Sequence, residues 1–213
     1  MPDTRPRVWL DHFVVGIDDL EAGIETFETL TGVRPLKAGE HPALGTHNAL
    51  VSLGPNRYLE LLAPRPGASV DPRFRYVSGC QQLTPVLWAL ATDEVDELQR
   101  RVTSAGFHAD TPAPGSRVTS DGDTVRWTMF WMQSEAPPNS PFFTSWDAAT
   151  RHPSTTTPTG CSLQSFELSS PSSEALVRLL DTVGFTARVA AGPRRLTVSL
   201  DTPNGTVVLG GNS

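Results

Sequence analysis

Two short apolar stretches decide the fold of this chain, Leu10-Asp-His-Phe-Val-Val-Gly-Ile-Asp-Asp-Leu20 and Arg57-Tyr-Leu-Glu-Leu-Leu62. The first has the β-branched and aromatic residues of a strand, followed by two aspartates that suit a helix N-cap. The second follows the turn sequence Gly54-Pro-Asn-Arg57 and is typical of a short strand. Each stretch carries one side chain that can bind a metal ion, His12 or Glu60, among apolar neighbours. The two stretches therefore indicate a small-molecule site.

The order that begins at Leu10, a strand, a helix and three further strands, recurs along the chain. Apolar residues at helical spacing end in Thr31-Gly32, Ala105-Gly106 and Val183-Gly184, with the glycine expected just past a helix C-terminus. The pattern predicts an α+β fold of repeated β-α-β-β-β modules. The modules cover about residues 8–64, 84–147 and 161–210, and we interpret 1–213 as a single domain. Short strands are predicted at Val33–Lys37 and Phe107–Asp110, among others.

Composition excludes several classes of partner. The formal net charge is −6 in 213 residues, whereas a nucleic-acid binder needs a basic face. The N-terminus lacks an apolar signal segment, and no window of the sequence is apolar enough to cross a membrane. Two cysteines form neither a disulfide framework nor a CxxC pair, so a reducing compartment is expected. We predict a cytoplasmic protein without nucleic-acid or membrane partners, and no nucleotide cofactor because no glycine-rich nucleotide-binding motif is present.

Several collinear pieces of sequence resemble the glyoxalase-like domain family of the vicinal oxygen chelate superfamily. These pieces are Asp11-His12, Gly39-Glu-His41-Pro42, Gly45-Thr46-His47-Asn48, Tyr58-Leu-Glu-Leu61 and Pro141-Phe-Phe143…Trp146-Asp147…His152-Pro153. The resemblance implies a curved mixed sheet around a cup, with the helices on the outer face. It also implies a metal on the first and fourth strands of a module. It does not imply a substrate, because this fold supports many functions.

Strand parity places His12 and Glu60 on one surface. In the first strand the larger apolar set, Phe13, Val15 and Ile17, suits the helix side and leaves His12 facing the cup. In the fourth strand Leu59 and Leu61 likewise leave Glu60 facing inward. A buried carboxylate without a partner costs several kcal/mol. Either a divalent metal ion or a direct His–Glu hydrogen bond would satisfy it, and zinc, nickel, manganese and iron are not distinguished.

A third metal ligand is harder to find. Superposing the helix ends of the first and third modules puts Gln164 at the position of His12, so Gln164 is the candidate that symmetry offers. His47 is a weaker one. If Pro55-Asn56 is the hairpin loop, Val51 faces Glu60 and His47 faces Pro64. His47 then lies about 13 Å along the strand at ~3.3 Å per residue, which places it at the rim of the cup.

Other polar residues of the matching pieces are candidates for catalysis and binding. His41, His47 and His152 are the candidate catalytic residues, since each could move a proton at the site. The resemblance implies that Asn48, Tyr58, Phe143, Trp146 and Asp147 bind substrate. Aromatic residues concentrate in the second module, as expected of an apolar pocket for a small organic ligand. Trp127, Met129 and Trp131 alternate with further apolar residues, so that strand is buried between helix and cup or lies in an interface.

The predicted function is a glyoxalase-like enzyme, of isomerase or lyase type, acting on a small carbonyl or enolizable organic substrate. A divalent metal ion would serve as Lewis acid. The alternative is a metal-free protein that sequesters a small molecule in the same cup. The third module either docks outside, replaces the second module in the cup or pairs with a partner chain, so a homodimer stays among the expected arrangements.

Overall fold

The computed structural model describes residues 6–118, 122–133, 136 and 139–210. Its regular elements alternate strands and helices in the predicted order. They are β1 Val8–Gly16, α1 Leu20–Thr31, β2 Leu36–His41, β3 Thr46–Ser52, β4 Tyr58–Pro64, β5 Thr84–Thr92, α2 Val95–Ser104, β6 Ala113–Val118, β7 Thr124–Phe130, β8 Phe142–Trp146, β9 Ser162–Ser170, α3 Ser173–Val183, β10 Arg188–Ala191, β11 Arg195–Thr202 and β12 Gly205–Leu209. Two 3₁₀ turns, Pro72–Val77 and Pro153–Thr155, lie in the connections between modules.

The first two modules form one curved sheet. Its eight strands run in the order β2-β3-β4-β1-β5-β8-β7-β6, and the modules meet where β1 pairs antiparallel with β5. The two edge strands approach each other, and the Arg117 guanidinium on β6 donates to the Ala38 carbonyl of β2. The sheet is therefore nearly closed around a cup, as the family resemblance implies.

Alternation along the strands separates an outer core from the cup. Phe13, Leu59 and Leu61 belong to a large core cluster that also contains the buried residues of all three helices. Val14 and Leu62, one position away, belong to a smaller cluster inside the cup. The helix-facing and cup-facing sets are those that parity predicts. Strand β7 and the residues just after it are apolar on both faces for the same reason, because Phe130 lies in the outer core while Met129 and Trp131 pack in the cup.

The helix α1 begins and ends at the residues that the sequence indicates. The Asp19 carboxylate accepts a hydrogen bond from the Ala22 backbone N–H at 3.0 Å, which satisfies one of the free amides of the first turn. Gly32 ends the helix in the left-handed conformation, with φ of 76°. The buried face of α1, including Ile24 and Phe27, covers the outer side of β3 and β4.

The third module forms a separate sheet on the outside of the first. Its strands run in the order β10-β9-β11-β12. The Phe166 ring of β9 lies 5.3 Å from the ring of Phe13 and 5.5 Å from that of Trp88, so β9 covers the outer faces of β1 and β5. Modules one and two thus form the cup. Of the three arrangements considered for the third module, the described residues show the one in which it docks on the outside.

Three local predictions are corrected. The hairpin loop between β3 and β4 is Gly54–Asn56, so Leu50 rather than Val51 faces Glu60, and Ala63 rather than Pro64 faces His47. Residues 107–110 contain an isolated bridge at Ala109, and the strand that follows α2 is β6, at 113–118. The strand predicted at 33–37 starts later, at Leu36. No helix within the described ranges is long and apolar enough to span a membrane.

Candidate functional site

The cup contains a cavity, partly open to solvent, with a polar side and an apolar side. The polar side comes mainly from the first module and includes His12, His41, Asn48 and Glu60. The apolar side comes mainly from the second module. The described residues that line the cavity are His12, Val14, His41, Leu44, Asn48, Leu50, Tyr58, Glu60, Leu62, Phe74, Leu87, Arg117, Trp127, Met129, Trp131, Phe142, Thr144 and Trp146. A concave, mostly apolar cavity with a few convergent polar groups is typical of a small-molecule site.

A β-bulge places the side chains of Asp11 and His12 on the same side of the sheet. The pairing of β1 with β5 shifts between Leu10 and His12, so Asp11 is the extra residue and has no partner on β5. Leu10 and Phe13 both remain in the outer core. The Asp11 carboxylate is therefore free to turn to the cup side with His12, which strict alternation would not allow.

The buried Asp11 carboxylate accepts hydrogen bonds from three N–H groups. Its Oδ2 lies 2.6 Å from His12 Nδ1, and its Oδ1 lies 3.0 Å from His152 Nε2 and 2.9 Å from Trp146 Nε1. Burial alone would raise the pKa of this carboxyl, but the hydrogen bonds and charges of His12 and His152 outweigh it and lower the pKa to about 2. Asp11 is therefore ionised at neutral pH.

The same network fixes the proton positions on both imidazoles. His152 Nδ1 accepts from the Ser154 backbone N–H at 3.2 Å, so its proton is on Nε2, toward Asp11. His12 holds its proton on Nδ1, also toward Asp11, because the carboxylate can only accept there. In the neutral form of this imidazole the lone pair is on Nε2, which lies 3.8 Å from Glu60 Oε2. A histidine that a carboxylate orients in this way can serve as a metal ligand or as a general base.

Asn48 completes the polar side of the cup. Its Nδ2 donates to Glu60 Oε1 at 2.6 Å, while its buried Oδ1 has no hydrogen-bond partner among the described residues. The corrected register explains this contact, since Asn48, Leu50 and Glu60 share the cup-facing side of β3 and β4. A buried acceptor oxygen without a partner, on a residue that lines the cavity, is a candidate contact for a ligand.

Two further predicted residues lie at the cavity. The ring of Tyr58 stacks on His12, with centroids 4.4 Å apart and an interplanar angle of 17°. Burial, with the charges of Asp11 and Glu60, raises the pKa of Tyr58 well above its usual value, so the phenol stays protonated. His41 Nδ1 lies 3.1 Å from Thr46 Oγ1, and burial lowers the pKa of His41. A neutral imidazole there can accept a proton.

The structure does not bring every predicted residue to the cup. His47 lies on the opposite face of β3, because the loop is one residue longer than a two-residue turn. Phe143 is buried in the outer core and stacks on Phe130, since it alternates with the cup-facing Phe142. Asp147 is exposed and accepts from the Ala149 backbone N–H. Gln164 is an exposed residue at a bulge of β9, in the separate sheet of the third module.

The candidate catalytic residue His152 is not among the residues that line the cavity. It lies behind the cavity wall, where its ring packs edge-on against Tyr58 and Trp146, and it contacts the site through Asp11. The cup contains one charged residue that sequence reasoning missed, Arg117. Its strand, with proline, glycine and alternating polar residues, gives no clear strand pattern, so only the pairing of β6 with β7 shows that Arg117 faces the cup.

The donor set fits a divalent ion only in part. Among the described residues, no group of three histidine, cysteine, aspartate or glutamate side chains could hold a metal ion. His12 Nε2 and Glu60 Oε2 supply two donors, and their 3.8 Å separation is near the ~3.4 Å expected for tetrahedral ligands at ~2.1 Å from an ion. The free Asn48 Oδ1 beside Glu60 is a neutral oxygen donor that could serve as the third.

Comparison with known proteins identifies the family. A family model described as a glyoxalase-like domain matches residues 10–184. A hypothetical protein from Staphylococcus aureus has the same fold, with TM-score 0.67 and 14% identity over 97% of this chain and 87% of that chain. Methylmalonyl-CoA epimerase from Mycobacterium tuberculosis is 19% identical over 66% of this chain and 87% of that chain, with TM-score 0.45. No curated protein sequence matches this chain. The predicted resemblance is thus confirmed, and the chain belongs to the glyoxalase-like domain family of the vicinal oxygen chelate superfamily.

Proposed function

We propose that this protein is an enzyme of isomerase or lyase type that acts on a small carbonyl or enolizable organic substrate. The observation that carries the proposal is the pair formed by His12 Nε2 and Glu60 Oε2, 3.8 Å apart at the cavity. His12 is oriented by a buried, ionised Asp11, and strongly shifted carboxyl groups of this kind are common at functional sites.

His12, Glu60 and Asn48 would hold a divalent metal ion. His12 Nε2 and Glu60 Oε2 would be the strong donors, and Asn48 would add its free amide oxygen. When bound, the ion would supply Lewis-acid polarisation of a substrate carbonyl or enolate oxygen. Glu60 also accepts from Asn48 Nδ2, which restricts its rotation and keeps one oxygen toward His12.

The remaining polar residues would orient substrate and move protons. His41 lines the cavity and is held neutral by burial, so it suits a base that removes a proton next to a carbonyl. Tyr58, protonated and stacked on His12, would keep that imidazole in place and exclude water from its face. The aromatic side of the cup would receive the carbon skeleton.

Metal content is the first test. Protein purified without a polyhistidine tag is analysed for metal and then titrated with Mn²⁺, Ni²⁺ and Zn²⁺ after chelation. We expect about one ion per chain, and a loss of affinity of at least tenfold in His12→Gln and Glu60→Gln. Glu28→Gln, at an exposed ion pair on α1, is the matched control and should leave binding unchanged. Binding that survives both site variants would contradict the proposed ligand set.

Proton exchange tests the chemistry. Proton NMR in D₂O follows deuterium exchange next to the carbonyl in a panel of 2-oxo acids and 1,3-dicarbonyl compounds. We expect exchange of at least one compound to be accelerated, and to fall about 100-fold in His41→Gln. If no compound exchanges although metal binds, the proton-abstraction step is wrong.

A second candidate function is sequestration of a small molecule without metal. It is favoured by the aromatic lining of the cup and by the absence of a three-residue acidic, histidine or cysteine cluster in the described ranges. This function predicts ligand binding that chelation and Glu60→Gln leave unchanged.

A further inference from the structure

The cup contains a positively charged residue, Arg117, that is not part of the hydrogen-bond network of His12, Glu60 and Asp11. Among the described residues that line the cavity, Arg117 is the only lysine or arginine, and Glu60 is the only aspartate or glutamate. Arg117 donates to the Ala38 carbonyl, and it forms no ion pair with a carboxylate within the described part of the chain. Of the five N–H groups of the guanidinium, most remain available to a ligand.

A second hydrogen-bond donor lies on the same face of the sheet. Trp127 pairs with Gly115, and Arg117 is two residues, or about 7 Å, further along β6, so the three positions share the cup-facing side of the sheet. The Trp127 indole lies over Gly115, where a Cβ atom would come within 2.4 Å of Nε1. This Nε1 is buried and has no hydrogen-bond partner among the described residues. A buried N–H without an acceptor is costly unless a ligand supplies one.

The surroundings of these donors are apolar. Met129 follows Trp127 on the cup face of β7, and Trp131 stacks on Phe142 with centroids 4.4 Å apart. An anionic group at Arg117 would thus continue into an aromatic compartment. His12 and Glu60 stand on the other side of the cavity, from the first module.

We propose that Arg117 and Trp127 form a carboxylate subsite, and that the natural ligand is a small organic carboxylate with an apolar or aromatic skeleton. The guanidinium pairs with the carboxylate in a charge-assisted contact, and the indole N–H donates a further hydrogen bond. Gly115 makes room for the indole. The inference rests on the proposed function for the reacting end of the substrate, and it names the group at the opposite end.

The test compares a carboxylate probe with its neutral amide isostere and with an aromatic phosphate ester. Binding of 3-phenylpropionate, of its neutral isostere 3-phenylpropionamide and of phenyl phosphate is measured by calorimetry in the presence of a chelator. Because the readout is binding without metal, its result is independent of whether the enzymatic proposal holds. We expect the wild type to prefer the carboxylate over the amide by about tenfold.

Variants assign that preference to the two residues. Arg117→Gln should abolish the preference for the carboxylate, and Arg117→Lys should restore part of it. Trp127→Phe, which keeps the ring and removes the N–H, should weaken carboxylate binding several-fold. Gly115→Ala should also weaken carboxylate binding, because the added methyl group would displace the Trp127 indole. Arg65→Gln, which removes an exposed ion pair with Glu40, is the matched control and should bind as the wild type does.

Thermal midpoints show that each variant is folded. Equal affinity of the wild type for the carboxylate and the amide would overturn the proposal. So would tighter binding of phenyl phosphate than of the carboxylate, which would point to a phosphate ligand. A preference that survives Arg117→Gln in folded protein would show that Arg117 only closes the gap between β2 and β6.

Discussion

Asp11 is buried among three N–H donors, from His12, His152 and Trp146. Desolvation of a carboxylate is costly, and here the cost is offset by charge-assisted hydrogen bonds rather than by a lysine or arginine. The consequence at the residue scale is that His12 has one tautomer and one orientation. The side chain that orients His12 is itself not among the residues that line the cavity.

Asp11→Asn is expected to destabilise the protein and to release His12. An amide has one acceptor oxygen, and its NH₂ would face another donor, so we expect a loss of about 2–4 kcal/mol in the free energy of unfolding. Urea denaturation measures it. Asp147→Asn, at an exposed aspartate that accepts from a backbone N–H, is the control and should cost less than about 1 kcal/mol. Equal losses in the two variants would count against the network.

His41 should make stability depend on pH. Burial lowers its pKa below the usual 6.5, so the unfolded chain takes up a proton at this residue before the folded chain does. Its contribution is fully present above the unfolded pKa and is lost as pH falls below it, by at most about 1.4 kcal/mol per pH unit. We expect His41→Gln to reduce the decline measured between about pH 7 and about pH 5.5. Parallel pH profiles for the variant and the wild type would contradict this assignment.

The direction in which a side chain faces can be predicted from the sequence where the alternation of a regular strand alone determines it. His12 and Glu60 face the cup because larger apolar residues on either side of them fill the helix side. Parity fails at Asp11, because a bulge has no sequence signal of its own here. Arg117 could not be found either, since its strand lacks an apolar alternation.

At the scale of elements, the loop Gly54–Asn56 sets which residues of β3 face the cup. Gly54 and Asn56 both have positive φ, at 103° and 56°. The chain reverses through three loop residues in this conformation, one more than in a two-residue turn. The shift by one residue brings Asn48 to Glu60 and turns His47 away. The sequence predicts the turn from its composition, but the number of loop residues depends on backbone angles that the residue types leave open.

Substitution of Asn56 should test this loop. Asn56→Gly keeps the left-handed conformation accessible and should change the free energy of unfolding by less than about 0.5 kcal/mol. Asn56→Val places a β-branched residue there and should cost about 1–3 kcal/mol. Thermal unfolding of the two variants side by side gives the comparison. A valine variant as stable as the glycine variant would show that the loop adopts another conformation.

At the scale of the whole molecule, one apolar core joins the three modules. Phe166 of β9 contacts Phe13 and Trp88 from the two cup-forming modules, and α2 packs on α3. Three matched modules could be recognised from the sequence. The arrangement of the modules could not be predicted, because each module has a similar apolar sheet and apolar helix side. Only the structure shows that the third module packs on the outer faces of β1 and β5.

Phe166→Ala should separate stability from binding. The ring contacts both cup-forming modules and Phe185, so its loss should cost about 2–4 kcal/mol. Ligand and metal affinities should remain unchanged, because Phe166 lies on the opposite side of the sheet from the cavity. Val208→Ala, at a residue that is 54% exposed, is the control and should have little effect. A loss of binding in folded Phe166→Ala would indicate that the third module shapes the cup.

Anomalous diffraction from crystals grown with Mn²⁺ tests the claim that His12 and Glu60 act together on one ion. We predict a single strong anomalous peak per chain within about 2.0–2.3 Å of His12 Nε2 and Glu60 Oε2, with Asn48 Oδ1 on the same ion. Crystals of Glu60→Gln should lack that peak. Fully ordered wild-type side chains with no peak between them, at saturating Mn²⁺, would contradict the claim.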